Sequence, residues 1–540
     1  MRFSKNENIQ THRETGSTLF MQEGLHVLRL YGTPYSRGTA HGRLLRSKIL
    51  SSGISRYYGN YLVDLYRTSD FARLIPSFIK KQVGKLLEYW YYFPLERLLL
   101  PETREELFGL ADAAGLDRSE VIRGYVAPDI MTHLAAAFLQ GGEPVASYYL
   151  GGCSGAYARN SAMKQGSPAV FARNMDFPGV FVWKYPAVIF AYPEEETEIL
   201  VEKSPDSWEW VTKKKQPYVY VSAAGFPGNG LTGMNSLGTC MSTFVCLSKN
   251  ISRKGLLTLD FNHYLFTRAE TVRGVLRLLS EKKLACATPH SVVFAGPDEA
   301  VSIEVDSKQI RPVSMPRGTD VHIQTNHFND SKMKKNEFGF PLEEENTLGR
   351  YELLREVLTH NHGTLNPQKM ADIISSNLDL RSGSCRLLGD FPAQPITLTS
   401  VLFEPSTRKF WVAGGTPPAV CYNGYIGFSF DDKNGRRFPG LFSGTPGPIN
   451  RSASPLLPGT EPPAVSRTMK DSLKYCMLSQ EALKMGKINS ALRNIEKAVS
   501  LYGDPSYEYI RMILLLKKND PETALAICEK LLPANIFPPA

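Results

Sequence analysis

The sequence predicts an α+β protein, with a layered body lying between a mainly helical N-terminal segment and a helical tail. Three observations carry this reading. Strand-length apolar runs cluster between residues 151 and 425. Helical patterns inside that stretch are grouped rather than alternating strictly with the strands, which argues against a doubly wound parallel sheet. Composition then turns to Pro, Gly and Ser over about 439–465 before helical periodicity returns. With 540 residues, 42% of them hydrophobic, the chain can bury a large core, and length alone suggests roughly two to four domains.

Taken in order, residues 1–152 read mainly as helix after a short strand at 26–31, with amphipathic segments near 37–52, 78–93 and 104–114. β-branched and aromatic runs then predict strands at 169–177, 187–192, 218–223, 291–294, 322–325, 397–403 and 410–413. Helical patterns fall at 267–282, 348–360 and 367–376. This makes 153–425 the expected catalytic body and 426–466 a Pro/Gly/Ser-rich linker. Within 467–540, Ser490-Ala491-Leu492-Arg493 recurs as Thr523-Ala524-Leu525-Ala526, a period of 33 residues. That period resembles tetratricopeptide repeats, but two units fall short of the three or so that usually stand alone. The tail is therefore expected to pack on the body or to engage a partner protein, with a plain helical hairpin extension as the alternative.

Composition narrows the function classes. No apolar run approaches the roughly 18 residues of a membrane span. The opening Met1-Arg2-Phe3-Ser4-Lys5 is not followed by a signal-peptide core, so cytoplasmic residence is expected. The eight cysteines are scattered without Cys-x-x-Cys spacing, which argues against a disulfide framework or a thiolate zinc site. A net charge of +9 is mild for this length, and its short lysine and arginine runs come without a recognition motif, so nucleic acid is not an expected partner. A small-molecule substrate is expected, with no cofactor and no metal.

The chemistry concentrates in Gly151-Gly152-Cys153-Ser154-Gly155-Ala156-Tyr157 and in Arg173-Asn174-Met175-Asp176-Phe177. If the Gly152–Cys153 bond is cut, Cys153 becomes N-terminal and its own amine can act as the base for its sulfur. Residues 163–168 form a turn candidate between two strand-like runs, so a hairpin sets Cys153 opposite Asp176 to within one residue. A carboxylate there can hold the amine, and the Arg173 guanidinium can orient the same group or a substrate carboxylate. Both side chains reach Cys153 only if the strand twists or bulges. The alternative is an inert buried thiol at a Gly-rich turn. Asn326 ends the 322–325 strand, a suitable place for an amide donor to an oxyanion, worth about 3 kcal/mol; the alternative is an asparagine that merely closes the strand.

These residues, with Gly32-Thr33-Pro34-Tyr35-x-x-Gly38-x-x-His41-Gly42, Gly233-Met234-Asn235-Ser236-x-Gly238 and Thr325-Asn326-His327-Phe328, resemble the isopenicillin N acyltransferase-type peptidases. Those belong to the N-terminal nucleophile hydrolases and are related to bile salt hydrolases and penicillin V acylases. The resemblance spans about 26–420. It implies a four-layer αββα sandwich and a proenzyme cut between Gly152 and Cys153, with 1–152 staying associated. It also implies Cys153 as nucleophile, its new amine as base, Asp176 and Arg173 as the groups that tune it, and Asn326 in the oxyanion hole. Arg350 matches an active-site arginine of relatives, although Gly349 stands where they often carry serine and Thr347 is the nearest hydroxyl. Val245 stands where bile salt hydrolases carry a second oxyanion asparagine, which leaves a backbone N–H such as that of Asp176 for the role. Asn235 is either a site residue or a turn residue.

A conventional Cys–His dyad is the competing arrangement, with His327 ahead of His322, His263 and His290. His360-Asn361-His362 has poor spacing for a metal. Phe177, Phe181, Trp183, Tyr185, Trp208 and Trp210 hint at a pocket for an apolar acyl group. The expected activity is that of a self-processing amide hydrolase or N-acyltransferase working through a thioester on Cys153. Its rivals are an inactive scaffold that recruits partners through the tail and a phospholipase B-like ester-cleaving relative.

Overall fold

The computed structural model describes residues 9–60, 82, 86, 88–138, 152–204, 207–339, 341–430, 446–450, 452, 455–458, 460 and 465–532. Two sheets dominate. The larger has ten strands, running in space through Gln10–Thr11, Thr18–Gln22, Leu25–Gly32, Pro186–Pro193, Tyr218–Ala223, Thr232–Asn235, Cys240–Val245, His290–Ala295, Ala300–Val305 and Ile310–Ser314. The smaller has six, in the order Val321–Gln324, Gly152–Ala158, Val170–Asp176, Thr397–Glu404, Lys409–Ala413 and Tyr425–Ser429.

The period-two alternation of a strand explains the layering. In the large sheet Leu28, Leu30, Ile189, Ala191, Tyr218, Tyr220, Val292 and Phe294 share one apolar cluster with Phe261 and Leu265 of helix Thr258–Arg268 and with Val275 and Leu278 of helix Val272–Glu281. Their neighbours Val27, Val188, Phe190, Val219, Val221 and Val293 face the other way. They join the cluster containing Phe171, Val401, Phe403 and Phe410 of the small sheet. That sheet is backed in turn by Leu353, Leu354 and Val357 of helix Pro341–His360 and by Met370, Ile373 and Ile374 of helix Pro367–Ile374. Helix, sheet, sheet and helix make the four-layer α+β sandwich.

Among its described residues the N-terminal segment supplies the expected strand, here Leu25–Gly32, and also Gln10–Thr11 and Thr18–Gln22, which were not expected. Leu25–Gly32 runs parallel to Pro186–Pro193, with Val27 beside Val188, so the segment is part of the large sheet. The expected helix at 37–52 is two helices, Pro34–Leu44 and Arg46–Ser52; most of 78–93 lies outside the described residues. The glycines of the Gly32 to Gly42 motif have a packing reason. A Cβ at Gly38 would sit 1.9 Å from the Glu106 carbonyl oxygen and one at Gly42 2.5 Å from that of Leu110, while one at Gly109 would sit 2.2 Å from that of Tyr35. Helices Pro34–Leu44 and Pro101–Ala114 therefore approach closely through opposed glycines.

The stretch expected to be linker begins inside the last strand of the small sheet, Tyr425–Ser429. Further on, Ile449 pairs with Tyr425, and Asn361 Nδ2 donates to the Leu456 carbonyl at 2.8 Å, so both Ile449 and Leu456 lie against the body. The tail holds helices Arg467–Lys484, Ile488–Leu501, Pro505–Lys517 and Pro521–Leu531. It packs on the body: Asp504 Oδ2 accepts from the Leu387 N–H at 2.7 Å, and Arg386 Nη2 donates to Ser506 Oγ at 2.9 Å. No helix among the described residues is long and apolar enough to cross a membrane.

Candidate active site

Cys153 lies one residue into the Gly152–Ala158 strand, the second from the edge of the small sheet. Its hairpin partner is Val170–Asp176, in a register that places Gly152 opposite Asp176 and Cys153 opposite Met175. This is one residue from the Cys153–Asp176 pairing expected from the turn, inside the stated tolerance. On the other side the edge strand Val321–Gln324 pairs Gln324 with Gly155 and then turns, which brings Asn326 alongside Cys153.

Four polar side chains converge on the cysteine. The Cys153 backbone N–H donates to Asn326 Oδ1 at 2.6 Å. Arg350 Nη1 donates to the Cys153 carbonyl at 2.6 Å, and its Nη2 donates to Asn326 Oδ1 at 2.9 Å. Arg173 Nη2 lies 3.4 Å from Cys153 Sγ and also donates to the Thr243 carbonyl at 2.8 Å. Asp176 Oδ1 accepts from Thr397 Oγ1 at 2.6 Å, and its Oδ2 has no hydrogen-bond partner.

The sequence left open how Arg173 and Asp176 both face this centre. The strand Thr397–Glu404 slips register against Val170–Asp176 between Thr397 and Thr399, which leaves Leu398 as an extra residue. Such a bulge tightens local twist and re-aims the side chains beside it. Thr397 then stands at Asp176, its own register partner.

Burial sets the electrostatics. Arg173 is fully buried, and its Nε and Nη1 have no hydrogen-bond partner. Desolvation lowers its pKa, with Cys153 and Asp176 opposing. The Cys153 thiol is pushed up by burial, against the pull of Arg173, so the uncut chain holds it as a neutral thiol at pH 7. Asp176 is pushed up to about 7 by burial, with Arg350, Thr397 and Arg173 acting to lower it. The buried Arg173 guanidinium, whose Nη2 lies beside the protonated sulfur, would interact more strongly with a thiolate there than with the thiol.

A cavity of about 420 Å³ opens beside this cluster, with Asn326 and Arg350 on its inner wall. Val245, Leu247, Phe338 and Leu348 give it an apolar side, and Lys334 and Glu337 also line it. The aromatic residues expected to form a pocket do not line it. Trp183 is buried and donates from Nε1 to Tyr58 Oη, while Trp208 and Trp210 lie on the Ser207–Lys214 strand of a separate hairpin.

Asn326 presents its oxygen, not its amide, to the cysteine, because Nδ2 donates to the Val245 carbonyl at 2.8 Å. One Nδ2 proton is left for an incoming oxygen. Thr347 does have a job: its Oγ1 accepts the Asn326 backbone N–H at 2.7 Å. A side chain at Gly349 would put its Cβ 2.5 Å from Asp390 Cβ, so the close Asp390 accounts for the missing serine. Asn235 serves a turn, since its Oδ1 accepts from the N–H groups of Leu237 and Thr239.

His327 lines the cavity, but among the described residues no histidine is hydrogen-bonded to Cys153. His327 Nδ1 lies 3.1 Å from both Thr325 Oγ1 and Thr347 Oγ1, and burial lowers its pKa to about 4. His290 Nε2 is 2.9 Å from Asn262 Oδ1, and His322 Nε2 is 2.7 Å from Ser302 Oγ. Among the described residues no group of His, Cys, Asp and Glu is arranged to hold a metal ion.

Two supporting residues escaped the sequence reading. Asn346 Oδ1 accepts from Arg350 Nε at 2.9 Å, and the i, i+4 spacing on one helix was the available signal. Thr397 had no such signal, because its place follows from the register of a strand more than 200 residues away from Asp176.

A family model described as acyl-coenzyme A:6-aminopenicillanic acid acyl-transferase matches residues 163–418, which include Arg173, Asp176, Asn326 and Arg350 and begin ten residues after Cys153. Protein dcd1A of Dictyostelium discoideum is 28% identical over 112 residues, a match covering 20% of this chain and only 25% of that protein. Among solved structures, a Caenorhabditis elegans N-acylethanolamine-hydrolyzing acid amidase ortholog is similar at 14% identity and a TM-score of 0.30, covering 47% of this chain and 93% of that one. A mutant conjugated bile acid hydrolase from Clostridium perfringens is similar at 10% identity and the same TM-score of 0.30, covering 48% and 88%. Residues 163–418, a little under half of the chain, are thus similar to the acyl-coenzyme A:6-aminopenicillanic acid acyl-transferase family.

Proposed function

We propose that this protein is a self-processing amide hydrolase or N-acyltransferase that works through a thioester on Cys153. The observation that carries the reading is the convergence on one cysteine of a buried guanidinium at its sulfur, an asparagine oxygen at its nitrogen and an arginine at its carbonyl.

Maturation begins with attack of Cys153 Sγ on the Gly152 carbonyl carbon. The Gly152–Cys153 C–N bond breaks, and the thiol proton ends on the departing nitrogen, which becomes the Cys153 α-amine. Water then hydrolyses the Gly152 thioester, giving a carboxylate at Gly152 and restoring the thiol. Residues 1–152 stay bound because their strand Leu25–Gly32 is built into the large sheet.

In the mature enzyme the α-amine takes up the proton of Sγ, and Arg173 stabilises the thiolate. The amine nitrogen is held where the Cys153 N–H is now, on Asn326 Oδ1, with Asp176 supplying a carboxylate nearby. Thiolate attack on a substrate acyl carbon gives an oxyanion, which the second Asn326 Nδ2 proton and the backbone N–H of Asp176 hold. The α-ammonium returns its proton to the leaving amine, and water or a second amine resolves the thioester. The apolar wall of the adjoining cavity suits an acyl group.

The test uses p-nitrophenyl acetate with an acid quench. The wild type should show a burst of p-nitrophenol and one acetyl group on the peptide containing Cys153, and Cys153→Ala should show neither. A burst of equal size from Cys153→Ala would remove the cysteine from the chemistry.

A further inference from the structure

The loop that carries Asn326 has an unusual means of support. Four of its backbone N–H groups are received by side chains from other elements. Asn326 donates to Thr347 Oγ1, and Phe328 donates to Glu337 Oε1 at 2.8 Å. Asn329 donates to Glu304 Oε1 at 2.5 Å, and Asp330 donates to Glu304 Oε2 at 3.0 Å. Gln324 adds a tie from below, donating from Nε2 to the carbonyls of Thr325 and His327. Glu304 itself is fully buried, on the Ala300–Val305 strand of the opposite sheet.

The two carboxyl groups do different work. Glu337 receives one N–H on one oxygen, so a proton on its other oxygen is compatible with the contact. Glu304 receives two N–H groups on its two oxygens, and only the ionised form offers a strong acceptor at both. Protonation leaves only a weak hydroxyl acceptor at one oxygen, and the bond to that N–H is weakened.

We propose that Glu304 is the positioning residue of the oxyanion side of the site: as a carboxylate bridging the Asn329 and Asp330 amides, it fixes the loop so that Asn326 stays between Cys153, Arg350 and Val245. This rests on the thioester chemistry proposed above. The residue touches no substrate and acts through the backbone of the loop.

The charges around Glu304 set when the clamp closes. Burial pushes its pKa up to about 7, and the Asp330 carboxylate adds to this, while the N–H groups of Asn329 and Asp330 and the Lys334 ammonium oppose it. Glu337, also pushed up to about 7, and the buried Cys246 thiol face the same space. Arg311, the strand partner of Glu304, has its Nε 3.7 Å from Asp330 Oδ2. The clamp is thus complete above about pH 7 and opens as the pH falls, so acylation of Cys153 loses rate on the acid side by one proton more than Asp176 alone would require.

The experiment follows p-nitrophenyl acetate acylation of Cys153 from pH 5.5 to 9 in the full chain, for the wild type, Glu304→Gln and Glu304→Asp. Glu304→Gln should lose about 10-fold to 100-fold in acylation rate at pH 8. Its acid limb should be shallower by one proton, and amide exchange over 326–330 should be faster. Glu304→Asp, which keeps the charge, should regain part of the rate and the steeper limb, and it stands in if Glu304→Gln does not fold. A wild-type rate and pH profile in Glu304→Gln overturns the proposal, as does Glu304→Asp behaving no better than Glu304→Gln. The underlying thioester reading is judged separately by Cys153→Ala: lost acylation there with a normal Glu304→Gln condemns the clamp alone.

Discussion

Thr397→Val tests the electrostatic account of the site at its most sensitive point. The Thr397 hydroxyl lies 2.6 Å from Asp176 Oδ1 and 2.8 Å from the Gln394 carbonyl, and its single proton serves one of them at a time. With Asp176 ionised, the proton points to the carboxylate; with Asp176 neutral, the acid can donate to the hydroxyl, which then donates to Gln394. A hydrogen bond to a charged group contributes about 1.5–3 kcal/mol, and the neutral arrangement recovers part of that. At about 1.4 kcal/mol per pH unit, loss of the hydroxyl should raise the Asp176 pKa by about one unit from its value of about 7.

Valine matches threonine in shape, so the geometry should survive. If the carboxylate is the working form, the acid limb of Cys153 acylation moves upward by about one pH unit. Stability gives an independent check with a definite sign. Asp176 has its folded pKa raised above 3.8, so the folded chain binds more protons than the unfolded one, and stability falls as pH rises from about 4 to 7. Thr397→Val extends that window upward, so its loss of melting temperature should be larger at pH 8.5 than at pH 5. A superimposable acylation profile, or one displaced to lower pH, would refute this role for Asp176.

Arg350→Met should be the most damaging single change outside Cys153. It leaves the Cys153 carbonyl, Asn326 Oδ1 and Asn346 Oδ1 each without its arginine donor, and acylation should fall by about 10²-fold to 10³-fold in stopped-flow burst measurements. Asp504→Ala should loosen the tail without touching the cysteine. Asp504 caps helix Pro505–Lys517 and holds the Leu387 N–H, so about 2 kcal/mol of local stability should be lost, read as faster amide exchange at 386–388 and 505–517.

The layered α+β body was legible because its central strands are buried on both faces and read as apolar runs, as at residues 187–192 and 218–223. Strands with polar inner faces were not. Ala300–Val305 interleaves Ser302 and Glu304 with Val301, Ile303 and Val305, and those two polar residues serve His322, Gln324 and the Asn326 loop. The hairpin register was nearly recoverable because a local turn sets it, whereas the bulge at Thr397 to Thr399 depends on a distant strand. Likewise the N-terminal strands Gln10–Thr11, at the sheet's edge, and Thr18–Gln22, next to it, are short, and their sequence carries little periodic signal.

The central claim is that Gly152–Cys153 is a bond this protein cuts for itself. Intact mass spectrometry of the purified wild type and of Cys153→Ala tests it directly. The account predicts two fragments from the wild type, ending at Gly152 and beginning at Cys153, which separate only on denaturation, and a single uncut chain from Cys153→Ala. A wild-type chain that stays whole while p-nitrophenyl acetate leaves Cys153 unmodified would contradict it.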